Sequence, residues 1–351
     1  MQPVGDRPVE GRAAGLRPVV IARVHEVALK GRNRPFFMRR LAGNLAYALR
    51  DVPHGAIRVR NGRLLVDVVD VADWPVIRER VGQVFGIQNY SLTLRLHDSL
   101  DAIRAGVRVL LEVEGPPPGT FRVRAKRSNK AYPLTSPEIE REIGALIQEI
   151  TGAPVRLHAP DRTYQIEILH DGAYITSEVL PGPGGLPLGA SGRVVGLLSG
   201  GFDSPVAAYR MMKRGCAMTL VHCHAYPFVR PTSIEKVVEL TQHLARHQPG
   251  IRLVTVPISD AQRQIAVAAE PELRVVLYRR LMLRIASAIA AEEGAGALVT
   301  GESLGQVSSQ TLENLRTIEA ATSLPVLRPL VGSDKEEIIA EAARIGTEPI
   351  S

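Results

Sequence analysis

Ser199-Gly200-Gly201-Phe202-Asp203-Ser204 combines the residue types and spacing needed to hold an anion. Adjacent glycines let the backbone approach a ligand closely. Successive N–H groups running into a helix N-terminus form an anion cradle, and the Ser199 and Ser204 hydroxyls add donors. The stretch lies between a strand-like apolar run at 193–198 and a helical segment that opens with Pro205. Asp203 would repel a bare phosphate, but it suits a Mg2+ ion bridging carboxylate and phosphate. A helix cap is the structural alternative for this aspartate.

Two other groupings invite chemistry and fail. Gly301-Glu302-Ser303-Leu304-Gly305 has the G-x-S-x-G spacing of a hydrolase nucleophile elbow. Hydrolases of that fold place the catalytic histidine after the serine, and all nine histidines lie at or before His247. His222, Cys223 and His224 suggest zinc, but alternation along a strand puts the cysteine on the opposite face from the histidines, so no metal centre is expected. Cys216, at a helix end, reads as a buried structural thiol.

The elements around the loop form two regimes. Beyond residue 192 strands and helices alternate, which predicts parallel βαβ units with ligands at the carboxyl ends of the strands. Before residue 180 the elements are α+β. A strand at 19–24 precedes a helix over 34–52 with apolar spacing at Phe37, Leu41, Leu45 and Leu49. A hairpin follows, turning at Asn61-Gly62. Then come a helix near 99–112, a basic strand, a helix opened by Thr135-Ser136-Pro137 with the serine as cap, and strands at 164–169 and 173–179. The glycine- and proline-rich, uncharged stretch 181–192 reads as a linker. The expected division is a tail at 1–18, domains at 19–74, 75–180 and 193–351, and the linker.

Charge points to a polyanionic partner. Residues 1–74 carry 13 basic and 7 acidic side chains, whereas the remainder is nearly balanced. Arg122, Arg124 and Lys126 alternate onto one strand face, and Arg127 and Lys130 continue the run. Together with the basic head they favour nucleic acid over a merely solvated face. Two cysteines in 351 residues exclude a disulfide framework. No run approaches the roughly 18 apolar residues of a membrane helix, and the N-terminus lacks a signal-type apolar core. A cytoplasmic setting is expected.

Residues 199–204 do not fit Walker A; they resemble the S-G-G-x-D-S pyrophosphate loop of the PP-loop ATPases. Over nearly the whole chain the motifs resemble the tRNA uridine 4-sulfurtransferase (ThiI) family. "HEVALKGRNR" (25–34) is similar to the family's N-terminal ferredoxin-like motif, with His25 in place of a glycine. "FRVRAKRSNKAYPLTSPEIEREIG" resembles its RNA-binding THUMP domain. "TGESLGQVSSQTLENL" and "RPLVGSDKEEII" resemble its catalytic domain. The resemblance implies ferredoxin-like and THUMP α+β domains followed by an α/β parallel-sheet PP-loop domain.

It further implies ATP contacts at Leu197, Leu198, His222, Cys223, Arg279, Gly301 and Gln310, beside Ser199, Gly200, Gly201, Asp203 and Ser204. Asp203 and Lys335 would be catalytic, the lysine neutralising the pyrophosphate leaving group. Lys30, Arg32 and Arg34 join Arg122, Arg124, Lys126, Arg127 and Lys130 as candidate tRNA contacts. The implied reaction adenylates uridine at the eighth nucleotide of tRNA and replaces its O4 with sulfur. A cysteine desulfurase would supply persulfide, a sulfur-carrier protein for thiamine thiazole synthesis would be a further partner, and a homodimer is implied. The family's sulfur-bearing cysteine matches neither Cys216 nor Cys223, so a fragment ending before it is expected. Another PP-loop adenylating enzyme and an RNA-binding protein with an idle nucleotide fold remain as alternatives.

Overall fold

The computed structural model describes residues 17–129, 131–226 and 232–351, in two compact units. The chain opens with β1 (Arg17–Arg23), and α1 (Arg34–Ala48) follows as part of the second unit.

The first unit is one antiparallel-dominated sheet backed by helices. β2 (His54–Arg60) and β3 (Arg63–Val68) form the expected hairpin. Asn61 and Gly62 both have positive φ, 48° and 73°, which a two-residue turn matching strand twist requires. After α2 (Trp74–Val81) come β4 (Asn89–Leu96), α3 (Leu100–Glu114), β5 (Phe121–Arg127) and α4 (Ser136–Thr151). β6 (Arg162–Leu169), β7 (Gly172–Thr176) and the short β8 (Leu180–Pro181) complete the unit. The strand order is β2-β3-β1-β4-β7-β6-β5, with β8 on β4, so one sheet runs through both N-terminal segments. Leucines and isoleucines of α3 and α4 pack with Phe121, Tyr164 and Ile166 of the sheet. Thr135, one residue before the expected serine, caps α4 in a reciprocal capping box with Glu138, because the box needs its acid three residues on.

The second unit holds a parallel sheet with a separate apolar core on each face. β9 (Arg193–Leu197) leads to α5 (Asp203–Lys213), β10 (Ala217–His224) and α6 (Thr232–Leu244). β11 (Arg252–Pro257), α7 (Ser259–Ala268), α8 (Pro271–Glu293) and β12 (Ala297–Val299) follow. α9 (Leu312–Glu319), β13 (Val326–Leu327) and α10 (Lys335–Ile345) end the chain. The order is β11-β10-β9-β12-β13 with every pair parallel. α5, α6 and α10 bury Val206, Leu240 and Ile338 on one face; α8 and α9 bury Leu283, Ala286 and Ile318 on the other. Connections leave β9 and β12 in opposite directions, and such a switch point opens a crevice at the strands' carboxyl ends.

Three expectations shift. α5 starts at Asp203, not Pro205, so the aspartate is already helical. α7 was not expected, and α8 begins at Pro271, earlier than its apolar pattern suggests. Of residues 181–192, read as a linker, Pro181 pairs in β8 and 183–192 are tied into this unit. The Leu186 N–H donates to the Lys213 carbonyl and the Ser191 N–H to the Gly215 carbonyl, both at 2.9 Å, and the Leu186 side chain is buried. With no charged residues to hold it in water, that stretch buries its leucine instead. No helix among the described residues is long and apolar enough to cross a membrane.

Candidate functional site

The crevice between β9 and β12 contains a cavity of about 250 Å3. Leu197, Leu198, Ser199, Asp203 and Ser204 line it from the first loop, His222 and Cys223 from the end of β10, Arg279 from α8, and Gly301 and Gln310 from beyond β12. These positions span 114 residues of chain, and the sheet brings them to one opening. Gly200 and Gly201 belong to the same loop without lining the cavity, and Lys335 sits exposed at the start of α10.

Ser204 closes the loop. Its buried Oγ accepts from the Ser199 N–H at 2.8 Å, lies 3.0 Å from Ser199 Oγ and donates to the Ser199 carbonyl at 3.1 Å. Asp203 does not cap α5: the cap position is Phe202 and no side chain closes it. The carboxylate is left for another purpose. Desolvation pushes its pKa up, opposed by the positive charge of Lys335 and a hydrogen bond from Gln306. Thus Lys335 acts on this carboxylate from the rim.

His222 is a fixed acceptor. A carbonyl can only accept, so the 2.9 Å contact of His222 Nδ1 with the Leu198 carbonyl places the proton on Nδ1. Burial lowers the imidazole pKa, which keeps the ring neutral. Nε2 is then a buried lone pair, and it has no partner among the described residues. Gln310 Oε1 is likewise buried and unpartnered. Two such atoms beside one cavity call for donors that a ligand would bring. The His222 and His224 rings stack with centroids 6.2 Å apart, on one strand face as expected. Cys223 lines the cavity, yet burial pushes its thiol up to about 11, and burial also raises Cys216. Neither is a thiolate at neutral pH.

Glu302 is the residue sequence reasoning missed. It is buried, with Oε1 accepting from Arg279 Nη1 at 2.9 Å and Oε2 from Arg328 Nε at 2.7 Å and Thr300 Oγ1 at 3.0 Å. Arg328 reaches on to Glu319 at 2.7 Å. This chain of charges fixes the Arg279 guanidinium at the cavity wall. Its only sequence signal was the 301–305 stretch already set aside as a false elbow. That rejection stands structurally: Ser303 is buried and donates to the Ser333 carbonyl at 2.6 Å.

Gly301 is where backbone contact decides. A Cβ there would lie 2.8 Å from the Ser204 nitrogen and 2.9 Å from the Asp203 carbonyl carbon. Gly301→Ala must therefore move the start of α5. We expect activity at this cavity about 100-fold lower with unaltered circular dichroism, since shifts near 1 Å suffice for that loss.

The residues fit a nucleotide polyphosphate: a backbone cradle, hydroxyl donors, buried acceptors and an apolar wall from Met282 and Leu283. Mg2+ fits as an ion shared with phosphates, because only the Asp203 carboxylate is offered by the loop and the described residues contain no metal-type cluster of three.

The basic candidates fall in both units. On β5, at the sheet edge, Arg124 and Lys126 are exposed while Phe121 and Val123 are buried. Arg122 is engaged with Thr163 Oγ1 and the Leu157 carbonyl, each at 3.0 Å, and Arg127 donates to the Tyr132 carbonyl at 3.1 Å. In the second unit Lys30 lies 3.7 Å from Glu26 and over the Phe37 ring, Arg32 is exposed and Arg34 half-buried. Lys130 lies outside the described residues.

Comparison with known proteins matches residues 19–91 to the ThiI ferredoxin-like domain, 97–178 to the THUMP domain and 189–351 to the family described as thiamine biosynthesis protein (ThiI). A probable tRNA sulfurtransferase of Thermus thermophilus is 51% identical over 323 residues, 92% of this chain and 79% of the relative. The chain belongs to the ThiI family. A Moorella thermoacetica member, also a probable tRNA sulfurtransferase, is 45% identical over 95% of this chain and 84% of its own length. Among solved structures, a 4-thiouridine synthetase–RNA complex with bound ATP matches with TM-score 0.86 and 35% identity over 95% of this chain and 86% of that one. PH1313 from Pyrococcus horikoshii matches with TM-score 0.73 and 28% identity, covering 94% and 99%. The ThiI fold class expected from sequence, α+β domains followed by a parallel α/β domain, is the one observed.

Proposed function

We propose that this chain is a tRNA sulfurtransferase that uses ATP to activate uridine at the eighth nucleotide of tRNA and exchange its O4 for sulfur. The observation that carries the reading is the convergence of the 199–204 loop, His222, Arg279 and Gln310 on one cavity at the sheet's switch point. Family membership, together with the RNA and ATP in the related synthetase, supplies the substrate class.

In this reading O4 attacks the α-phosphate of ATP and pyrophosphate leaves. The oxygen becomes part of AMP, a far better leaving group from C4. A sulfur nucleophile then adds at C4 and AMP departs. The loop N–H groups other than those of Ser199 and Gly201, which bond within the loop, bind phosphate oxygens, and Lys335 faces the charge of the departing pyrophosphate. Asp203 would hold Mg2+, which when bound neutralises phosphate charge. His222 Nε2 and Gln310 Oε1 accept from hydroxyl or amino donors of the nucleotide. Cys223 shapes the wall and Cys216 packs in the core, so neither is the nucleophile; the attacking atom is the terminal sulfur of a persulfide, and a second thiol then breaks its S–S bond, leaving sulfur on C4 and a disulfide behind.

The finer assignments belong to the same proposal. Residues 19–180 hold tRNA and 193–351 adenylate it. A cysteine desulfurase supplies persulfide, a sulfur-carrier protein is a second acceptor, and two copies pair. The direct test is pyrophosphate release from ATP and Mg2+ with and without unmodified tRNA. Release that depends on tRNA supports the reading; release indifferent to tRNA points to a different adenylated substrate.

Arg124 and Lys126 are the exposed members of the β5 run. Changing both to Gln should weaken tRNA binding uniformly across sequences and lower the slope of log K against log salt by about 1 to 2. An unchanged salt slope would remove this strand face from the tRNA interface.

A further inference from the structure

A second cavity lies within the Pro183–Ser351 unit, which includes α1, well apart in sequence from the adenylation loop. At about 610 Å3 it is larger than the 250 Å3 nucleotide site. One wall is the outward face of α1. Met38, Leu41 and Leu45 form the buried stripe of that helix. Phe36, Arg40, Gly43 and Tyr47, spaced four, three and four apart, run along the opposite side and line the cavity. Arg39 and Arg246 add guanidinium groups.

Three features of this cavity are unusual. Its lining contains three exposed arginines and no carboxylate. Two aromatic rings, Phe36 and Tyr47, stand 43% and 48% exposed within it. In the middle of α1, Gly43 has no atom within 4 Å of where a Cβ would stand, apart from the helix's own backbone. A helix-interior glycine is unfavourable relative to alanine, and nothing inside the protein asks for one here. The groove is open where a ligand would come close to the helix.

Arginines without acids select an anion; exposed aromatic faces select a planar π-system. A volume of this size admits one such group together with its phosphate. We propose that this cavity binds an unpaired nucleotide, its base against Phe36 or Tyr47 and its phosphates on Arg39, Arg40 and Arg246. The nucleotide comes from the tRNA substrate, as an unstacked residue outside the reacting uridine. That source rests on the function proposed above, whereas the chemistry of the cavity does not. The floor is uncharged: His247 stacks on Phe85 at 4.9 Å, meets the Gln83 carbonyl at 2.9 Å through Nδ1, and burial lowers its pKa.

The test uses the full chain with Gly43→Phe, which fills the groove where no side chain stands, and Gly43→Ala as its control. A third variant carries Arg39→Gln, Arg40→Gln and Arg246→Gln. Gly43→Phe should weaken tRNA binding about tenfold, within the range measured for losing one base–aromatic stack, and Gly43→Ala should not. The triple variant should lower the salt slope by about 1, the value for the one or two phosphates flanking a single unpaired nucleotide. Phe36→Trp gives a local fluorescence signal, read against the parent with its single Trp74. It should respond to tRNA. A response to AMP alone, with Gly43→Phe binding tRNA normally, keeps the nucleotide chemistry and assigns a free nucleotide as its source. Failure of the parent to bind tRNA would strike the proposed function, and the AMP titration would still decide the cavity. Silence of the Phe36→Trp variant to both tRNA and AMP, with a folded Gly43→Phe that binds tRNA like the parent, overturns the proposal. The same silence with Gly43→Phe converting a dimer to a monomer in sedimentation would make this face a contact between copies and equally overturn it.

Discussion

Asp203→Asn should abolish tRNA-dependent pyrophosphate release, by about 100- to 1000-fold, the loss seen when one group aimed at developing charge is removed. The same variant should melt no lower than the parent. The two expectations have one cause. The Asp203 carboxylate is partly desolvated at the start of α5 and caps nothing, and burial raises its pKa. A raised folded-state pKa means that the native state binds this proton more tightly than the unfolded chain does. Stability contributed by the protonated form is present below the unfolded value of 3.8 and is lost as pH rises through the folded value. At neutral pH the ionised group therefore opposes folding, and an isosteric amide relieves that opposition. Groups retained against stability are characteristic of working sites. Pyrophosphate assays paired with thermal melts at pH 7 check both halves. An active Asp203→Asn would leave the aspartate without a role in the reaction, and an inactive but strongly destabilised one would make its role structural.

Glu302→Ala should be the most destabilising of the substitutions considered, by about 3–5 kcal/mol, because removing one partner from a buried ionic group leaves the others uncompensated. Arg328 loses its 2.7 Å contact, Arg279 its 2.9 Å contact and Thr300 its acceptor. Arg328 keeps Glu319 at 2.7 Å, but its Nε is left without an acceptor beside a buried Nη2 that already has no partner among the described residues. Denaturant unfolding of the C-terminal domain gives the measurement. The functional consequence runs through Arg279: freed from Glu302, it no longer holds its place on the cavity wall, and KM for ATP should rise more than kcat falls. A double-mutant cycle with Arg328→Met separates the pair from the rest of the network. Near-additive effects would show that Glu302 acts alone and that the charge chain carries no coupling.

The parts legible from sequence share a physical property: their signals are local. The cradle at 199–204 is a run of adjacent residues whose backbone needs are written in its two glycines. The Asn61-Gly62 hairpin is set by the positive φ of two neighbours. The α4 start was legible in Thr135-Ser136-Pro137 with Glu138, although the cap is Thr135 and not the expected serine. Elements with no apolar stripe were invisible to the same reading. α7 has only two large apolar residues, Ile265 and Val267, both near its C-terminal end, and buries neither, so little in its sequence marks a core-facing helix. The first turns of α8 are exposed in the same way, and only Val276 and residues beyond it announce the helix. Residues 183–192 looked free because glycine and proline mark breaks, but whether a break is a tether or a packed strap depends on what its leucines meet.

Sequence alone thus determined the family, the order of α+β and parallel α/β segments, and the residue types in the 199–204 loop. Tertiary structure alone decided what those residues can do. Arg279, Glu302, Glu319 and Arg328 are scattered over 50 positions and become one charge chain only when α8, α9 and the loops after β12 and β13 meet at the sheet edge. The tautomer of His222, the raised thiol of Cys223 and the uncapped carboxylate of Asp203 follow from which atoms surround them, not from which residues precede them. The aromatic and basic face of α1 became a cavity wall only when residues 83–85 and 246–249 closed around it. The reason is general: backbone preference and hydrophobic period act over a few residues, whereas desolvation and charge pairing act through space.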